Sequence, residues 1–266
     1  MSTTRISASS YSNTAPLIWS FLYGSERGQF ELILDNAPAR SAELLAQKRV
    51  AAALVPVIEY QRIENVLLVP NVCVGAKDRV RSVCLVTKGA DLPDVKTVTL
   101  DVSSKTSVAL TEIIFREFVG TEPIYKPAKP NLAAMLAESD CALLIGDPAL
   151  TIDETKYKKF DLAEVWKKFT NCSFVFAMWM VQAGEIDTAK KINFQKARDE
   201  GLDRLDEIIS NYETEIPLSR EEFKNYLSEN ISYSIDENMQ KGLELFFELA
   251  RKNHLINDCK PLAFIA

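Results

Sequence analysis

Histidine is nearly absent from this chain of 266 residues, and the single copy is His254, near the C-terminus on a predicted charged helix. Catalytic schemes of the Ser-His-Asp, Cys-His or histidine–metal kind would all have to use this one side chain. No block of lysines and arginines stands out, and with a net charge of −6 the chain is not expected to bind nucleic acid. No apolar run approaches the length of a membrane span, so no membrane contact is expected.

The cysteines form no recognisable framework. They are odd in number, none belongs to a CxxC pair, and most stand among apolar residues: Cys73, Cys84, Cys141, Cys172 and Cys259. This pattern suggests neither a disulfide scaffold nor a zinc site, and buried free thiols in a reducing cytosol are expected. The N-terminus enters a predicted strand at Arg5 without an export signal, which also favours a cytoplasmic protein.

Strand patterns alternate with helix patterns along the chain, which predicts an α/β protein with sheets flanked by helices. The first unit reads as strand Arg5–Ser9, helix 16–23, strand Glu31–Asp35, helix 39–48 and strand 50–55. A second unit alternates in the same way over residues 95–145. From residue 186 onwards the apolar spacing is helical, and a helix over residues 186–212 opens this C-terminal segment.

A break at residues 88–93 separates the two units. We predict a discontinuous first lobe of residues 1–88 and 171–266, which includes the C-terminal helices, and a second lobe of residues 89–170 inserted into it. Two chain crossings between lobes imply a cleft with a hinge at its floor, which is a usual site for small ligands.

The turn Ser103-Ser104-Lys105-Thr106-Ser107 joins a predicted strand to a predicted helix. A helix start leaves backbone N–H groups unpaired and favours negative charge, so it is suited to binding an anion. One serine suffices to cap the helix, but this turn carries four hydroxyls. Gly146 and Asp147 likewise follow a predicted parallel strand, at the end where open α/β sheets bind ligands. A phosphate loop, a dinucleotide fingerprint and metal-ligand clusters are lacking, so no cofactor and no metal ion are expected.

These groups suit a small organic carboxylate and leave two classes open: a binding protein that closes on an anion, or an enzyme that relies on positioning and electrostatics. Further motifs narrow the choice. They are Ser10-Tyr11-Ser12-Asn13-Thr14-Ala15-Pro16-Leu17, Val55-Pro56-Val57-Ile58-Glu59-Tyr60, Arg81-Ser82-Val83, the stretch from Leu100 to Leu110, Leu144-Ile145-Gly146-Asp147-Pro148-Ala149-Leu150, Phe174-Val175-Phe176-Ala177-Met178-Trp179 and the segment from Tyr226 to Tyr233. In order and spacing, this set resembles the menaquinone-biosynthesis family of chorismate dehydratases over nearly the whole chain.

The resemblance implies a two-lobed, type II periplasmic-binding-protein-like fold used as a cytoplasmic enzyme. It implies removal of water from chorismate to give 3-[(1-carboxyvinyl)oxy]benzoate, the first step of the futalosine route to menaquinone. Asn13 and Ser82 match family positions implicated in the active site and are expected to be catalytic. The expected substrate-binding residues are Tyr11, Pro56, Ser103, Ser104, Thr106, Ser107, Gly146 and Asp147. The partner is then a small dicarboxylate, and the protein is expected to be a monomer or a homodimer.

No cofactor is needed for this reaction, because loss of the C4 hydroxyl makes the ring aromatic and only one proton transfer must be assisted. The base is either Asp147 or the side-chain carboxylate of the substrate. Three departures from the family pattern stand out: Ser12 replaces a frequent leucine, residues 48–52 replace a frequent Gly-x-x-Asp turn, and Lys105 replaces a frequent arginine, which keeps the charge but loses the bidentate fork.

Two rivals remain. An enzyme resembling the one that makes 1,4-dihydroxy-6-naphthoate would share the architecture but uses a cleft histidine, and His254 is far in sequence from every cleft motif. A non-catalytic solute-binding protein for a small carboxylate is the rival from another class.

Overall fold

Two separate five-stranded sheets organise residues 3–265, the part of the chain that the computed structural model describes. The strands are β1 (Arg5–Ser9), β2 (Glu31–Asp35), β3 (Ala52–Pro56), β4 (Val66–Ala76), β5 (Val83–Thr87), β6 (Thr97–Asp101), β7 (Ile124–Ala128), β8 (Cys141–Ile145), β9 (Lys158–Asp161) and β10 (Phe174–Gln182). The first sheet has the order β2-β1-β3-β10-β4 and the second β7-β6-β8-β5-β9. Strand β9 was not predicted.

Helices cover both sheets, as the alternating pattern predicts. They are α1 (Ala15–Leu22), α2 (Pro38–Ala46), α3 (Glu59–Arg62), α4 (Lys105–Ile113), α5 (Leu132–Glu138), α6 (Asp147–Leu150), α7 (Leu162–Thr170), α8 (Ile186–Ala189), α9 (Phe194–Leu202), α10 (Leu205–Tyr212), α11 (Arg220–Asn225) and α12 (Glu237–Lys252). Helices α4 and α11 each continue into a wider π-helical turn, over Ile114–Val119 and Tyr226–Asn230. The α/β class is therefore confirmed. In residues 3–265 no helix is both long and apolar enough to cross a membrane.

The strand directions bring several chain turns to one place. Strand β1 runs parallel to β2 and β3, and β6 runs parallel to β7 and β8, so their carboxyl ends lie at shared edges. Strand β5 is antiparallel to β8, with Val83 opposite Ile145. The residue that precedes β5 therefore lies beside the residue that follows β8.

Strand β5 corrects the first predicted lobe boundary. The boundary after residue 88 leaves β5 in the first lobe, but all five residues of β5 pair with β8 in the second sheet. The chain thus crosses between sheets before Val83, because this buried strand pairs with a partner distant in sequence that local pattern does not identify. The return crossing lies between α7 and β10, next to the predicted boundary at 170/171.

The C-terminal segment packs on the first lobe, but the predicted helix over residues 186–212 is wrong. The chain forms α8, α9 and α10 instead. The Asn193 side chain accepts a hydrogen bond from the Lys196 N–H at 3.0 Å and begins a new helix. Gly201 lies directly against the backbone of Pro16 in α1, where no side chain fits. His254 follows the end of α12 with a φ of 59° rather than lying on that helix.

Apolar side chains fill both lobes, and the aromatics of β10 belong to the core as expected. Trp166 of α7, Phe174 of β10 and Phe246 of α12 meet edge to face, with ring centroids 5.1–6.3 Å apart. The cysteines are free thiols, of which Cys73, Cys84 and Cys141 are buried. Cys172 is half-buried and Cys259 is exposed, so burial of all five was an overestimate.

Candidate functional site

A small, mainly apolar cavity lies where the two lobes face each other. Its volume is about 40 Å³, and the ends of β1, β3 and β8 and the start of α4 contribute to its wall. Six predicted site residues line it: Tyr11, Asn13, Pro56, Ser104, Ser107 and Gly146. The other four, Ser82, Ser103, Thr106 and Asp147, are not part of the lining. Depressions of about 660 Å³ elsewhere on the surface contain none of the ten residues.

In the hydroxyl-rich turn after β6, some residues reach the cavity and others connect the two lobes. Ser104 caps α4, since its Oγ accepts from the Ser107 N–H at 3.3 Å and lies 3.0 Å from the Ser107 Oγ. Thr106 is fully buried and its Oγ1 accepts from the Ile58 N–H of the first lobe at 3.2 Å. The Ser103 carbonyl accepts from the Ala39 N–H at 3.2 Å. Ser104 and Ser107 are thus available to a ligand, whereas Thr106 and Ser103 join the lobes.

Asn13 stands in the short helical turn that follows β1, at the cavity wall. Its side chain is buried, and its Oδ1 has no hydrogen-bond partner among the described residues. A buried amide oxygen without a partner costs folding free energy of about 1–3 kcal/mol, which is a feature of functional rather than structural groups. This geometry agrees with a role for Asn13 toward a ligand.

Ser82 is held by a strained turn at the start of β5. The preceding residue, Arg81, has a φ of 63°, a backbone region that non-glycine residues rarely adopt. The carboxylate of Asp161 accepts from the N–H groups of Val80 at 3.2 Å and Arg81 at 2.6 Å and maintains this turn. Ser82 is fully buried, and its Oγ donates a long hydrogen bond of 3.4 Å to the Val80 carbonyl.

Gly146 of the second lobe packs closely against Tyr11 of the first lobe. Gly146 has a φ of 66° and a ψ of −150°, which is essentially accessible to glycine alone. A β-carbon there would lie 2.8 Å from ring atoms of Tyr11. Burial, followed by the negative charge of Asp101, raises the pKa of Tyr11 to about 12, so its hydroxyl stays protonated at neutral pH.

Asp147 links the lobes rather than lining the cavity. One of its carboxylate oxygens accepts from the Ser12 hydroxyl, and the Ser12 N–H lies 3.2 Å from Oδ2 and 3.3 Å from Oδ1. Burial raises the pKa of Asp147, and the charge of Glu215 adds to the rise. Ser12, the departure from the family pattern, thus supplies the donors that hold this buried carboxylate.

Lys105 also bridges the lobes. Its Nζ lies 3.4 Å from Oε2 of the buried Glu59, whose other oxygen pairs with Arg62 at 2.9 Å. The ammonium group of Lys105 therefore forms an ion pair between the lobes and does not line the cavity. No charged side chain of the described residues lines the cavity.

Sequence reasoning missed three residues that build the site. Asp101 is fully buried and accepts from the N–H groups of Ser103 at 2.9 Å and Ile145 at 3.4 Å, and burial raises its pKa. Asp161 shapes the Ser82 turn, and the hydroxyl of Tyr226 lies near Ser82 and Asn13, which lower its otherwise raised pKa. Asp101 lies within the motif quoted for the turn, and its position between an apolar strand and the serines was the available signal. Tyr226 begins the C-terminal motif quoted above, whereas nothing local marks Asp161.

Two sheets of mixed strands joined by two crossings, with a small cavity between them, define the periplasmic-binding-protein class of fold. A protein of Candida albicans described as having the generic periplasmic-binding-protein fold matches 100% of this chain and 98% of its own, with a TM-score of 0.68 and 12% identity. A protein from Archaeoglobus fulgidus matches over 95% of this chain and 98% of its own, with a TM-score of 0.75 and 15% identity. The expected two-lobed fold is confirmed.

Sequence comparison gives the family. A protein of Thermus thermophilus named chorismate dehydratase is 31% identical over 257 residues, covering 90% of this chain and 92% of that protein. The family model for menaquinone biosynthesis matches residues 4–252. The chain therefore belongs to this menaquinone-biosynthesis family, as its motifs indicated.

Proposed function

We propose that this protein is a chorismate dehydratase, which eliminates water from chorismate to form 3-[(1-carboxyvinyl)oxy]benzoate for menaquinone biosynthesis by the futalosine route. The observation that carries the proposal is the 31% identity, over 90% of the chain, to a protein with that name. We also place the reaction in the cytoplasm. The free thiols support a reducing compartment.

Chorismate carries two carboxylates, and the start of α4 is the group of donors best suited to one of them. Ser104 and Ser107 reach the cavity there, and the helix dipole favours a negative charge at this end. Because the lining residues carry no charge, binding would depend on hydroxyls and backbone N–H groups in a site from which water is largely excluded.

The elimination removes the C3 proton and the C4 hydroxyl of chorismate. Asn13 at the wall and Ser82 behind it would orient the leaving hydroxyl and support its protonation. Of the two candidate bases, the geometry favours the substrate's side-chain carboxylate. Asp147 lies outside the lining and is held by two donors of Ser12, so it would have to release Ser12 before accepting a proton.

The lobes must separate before substrate can enter, because sites for small organic ligands occupy about 300–1,000 Å³ and this cavity has about 40 Å³. Separation would break the contact of Ser12 with Asp147 and that of Ile58 with Thr106. Both contacts re-form on closure, which would exclude water from the reacting atoms.

Incubation of the purified protein with chorismate, followed by detection of the aromatic product, tests the proposal. We expect turnover by the wild type and a fall in kcat of about 100-fold or more in Asn13→Ala and Ser82→Ala, the scale of losing one assisting group. Ser210→Ala, on the exposed face of α10, is the control and should match the wild type. If chorismate binds but is never consumed, the protein is a solute-binding protein, and unchanged turnover in both variants would remove the assigned roles.

A further inference from the structure

Two buried polar atoms beside the cavity have no hydrogen-bond partner among the described residues: Oδ1 of Asn13 and the hydroxyl of Tyr226. Tyr226 is fully buried. A phenylalanine would fill the same volume without the cost of an unpaired buried hydroxyl, which is about 1–3 kcal/mol. Packing therefore explains the ring of Tyr226 but not its hydroxyl.

The backbone around Tyr226 forms an irregular helical turn, and the residues after it are hydrogen-bonded to the first sheet. Tyr226 is the first residue of the π-helical turn that follows α11, and such turns occur frequently at functional sites. Downstream, Ser232 exchanges two backbone hydrogen bonds with Gly75 of β4, at 2.8 and 2.9 Å. The Tyr226 ring stacks on Phe223 with a centroid distance of 6.2 Å. These contacts fix the ring independently of the hydroxyl.

The hydroxyl of Tyr226 lies near the side chains of Ser82 and Asn13 but completes no hydrogen bond with either of them. Burial raises the pKa of Tyr226 strongly, and the negative charge of Asp147 adds to the rise, while Ser82 and Asn13 lower it in part. The phenol is therefore neutral at physiological pH and can both donate and accept a hydrogen bond. Tyr226 and Ser82 do not line the cavity, whereas Asn13 does.

We propose that Tyr226 is a positioning residue, whose hydroxyl orients the Asn13 amide and the Ser82 hydroxyl toward the substrate. The inference rests on the proposed function, since it concerns the same elimination. It assigns a role to the C-terminal segment, which supplies no residue to the cavity lining itself. Tyr226 acts through Asn13 and Ser82 and does not touch the substrate.

Tyr226→Phe tests this, because it keeps the ring and its stacking and removes only the hydroxyl. We expect kcat for chorismate to fall by about 10-fold to 100-fold, the scale for losing a hydrogen-bond partner behind an active-site group. The KM should change less than about twofold, since the residue does not contact substrate. The Tm should stay equal or rise, because an unpaired hydroxyl is removed. Tyr125→Phe is the matched control, since its hydroxyl is also buried and unpartnered but lies on the edge strand β7, and its kcat should match the wild type.

A double-mutant cycle separates positioning from an independent effect. In an Asn13→Ala or a Ser82→Ala background, Tyr226→Phe should cost less than in the wild type, because part of what it orients is already gone. Three results would each overturn the inference. They are fully multiplicative losses of kcat in both backgrounds, a wild-type kcat in Tyr226→Phe, and a fall in Tm that accompanies the loss of kcat. A wild type that leaves chorismate unconsumed would instead overturn the proposed function, and this inference with it.

Discussion

Gly146→Ala is a direct test of closure between the lobes. The new β-carbon would lie 2.8 Å from two ring carbons of Tyr11, whose ring belongs to the opposite lobe. It would also stand on a backbone with φ 66° and ψ −150°, which alanine adopts only under strain. Gly146 is tied on its other side, because its N–H donates to the Ser82 carbonyl at 2.7 Å. Relief must therefore come from moving the Tyr11 ring or from separating the lobes.

The magnitude follows from these two costs. Backbone strain of this kind costs about 2 kcal/mol, and an added carbon in a tightly packed place costs about 1–2 kcal/mol more. Only the second cost acts on closure, because the backbone strain is present whether the lobes are open or closed. It weakens the closed arrangement by about 1–2 kcal/mol, which corresponds to a loss of about 5-fold to 30-fold in an equilibrium constant. Because the proposed reaction requires the closed arrangement, kcat/KM for chorismate should fall by a similar factor.

The assay is steady-state turnover of chorismate, with thermal unfolding measured in parallel. Gly120→Ala is the control, since Gly120 also has a positive φ, of 76°, and belongs to the same lobe, but no atom lies within 4 Å of its β-carbon position. It should lower stability without lowering kcat/KM. In a Tyr11→Ala background, Gly146→Ala should cause little further loss of kcat/KM, because the ring that meets the new β-carbon is gone. If Gly146→Ala and Gly120→Ala have equal kcat/KM, the closure argument is refuted.

Two further predictions concern buried carboxylates. Asp161→Ala should lower the free energy of unfolding by about 3 kcal/mol in urea titrations, because it removes a helix cap and leaves the N–H groups of Val80 and Arg81 unpaired. Asp236→Ala removes the cap of α12 and an exposed ion pair with Lys77, so it should cost about 1 kcal/mol, and equal costs would contradict the argument. Burial raises the folded-state pKa of Asp147 above its ordinary value of 3.8. The contribution of the protonated carboxyl to the free energy of unfolding is therefore fully present below pH 3.8 and is lost as the pH rises through the raised pKa. Asp147→Asn cannot ionise, so the wild type should lose stability relative to this variant as the pH rises through that window, and a pH-independent difference between the two unfolding curves would show that Asp147 does not titrate in this way.

Local sequence patterns predicted many elements closely. The strands Arg5–Ser9 and Glu31–Asp35 have the bounds that periodicity indicated, and strands and helices alternate over residues 95–145 as predicted. Their signals are short-range, since apolar spacing, turns and caps are all read from neighbouring residues. The predicted helix over residues 186–212 failed because its breaks depend on packing, and Gly201 in particular must fit against α1.

The candidate site was predicted as a set of residues rather than as an arrangement. Six of the ten expected residues line the cavity, and their roles stay predictions. The hydroxyls of Ser104 and Thr106 are indistinguishable in the sequence, yet one reaches the cavity and the other accepts from Ile58, 48 residues away. No local pattern could make that distinction.

The sequence by itself thus determined the α/β class, the family and the chain turns that carry the site, because each depends on residues close together along the chain or on ordered motifs. The tertiary structure decided the direction of each side chain. It joined Ser12 to Asp147 across 135 residues, moved β5 into the second lobe and brought Tyr226 near Asn13 and Ser82. The physical reason is that a buried hydroxyl or carboxylate needs a hydrogen-bond partner, and the available partner is set by which segments pack together.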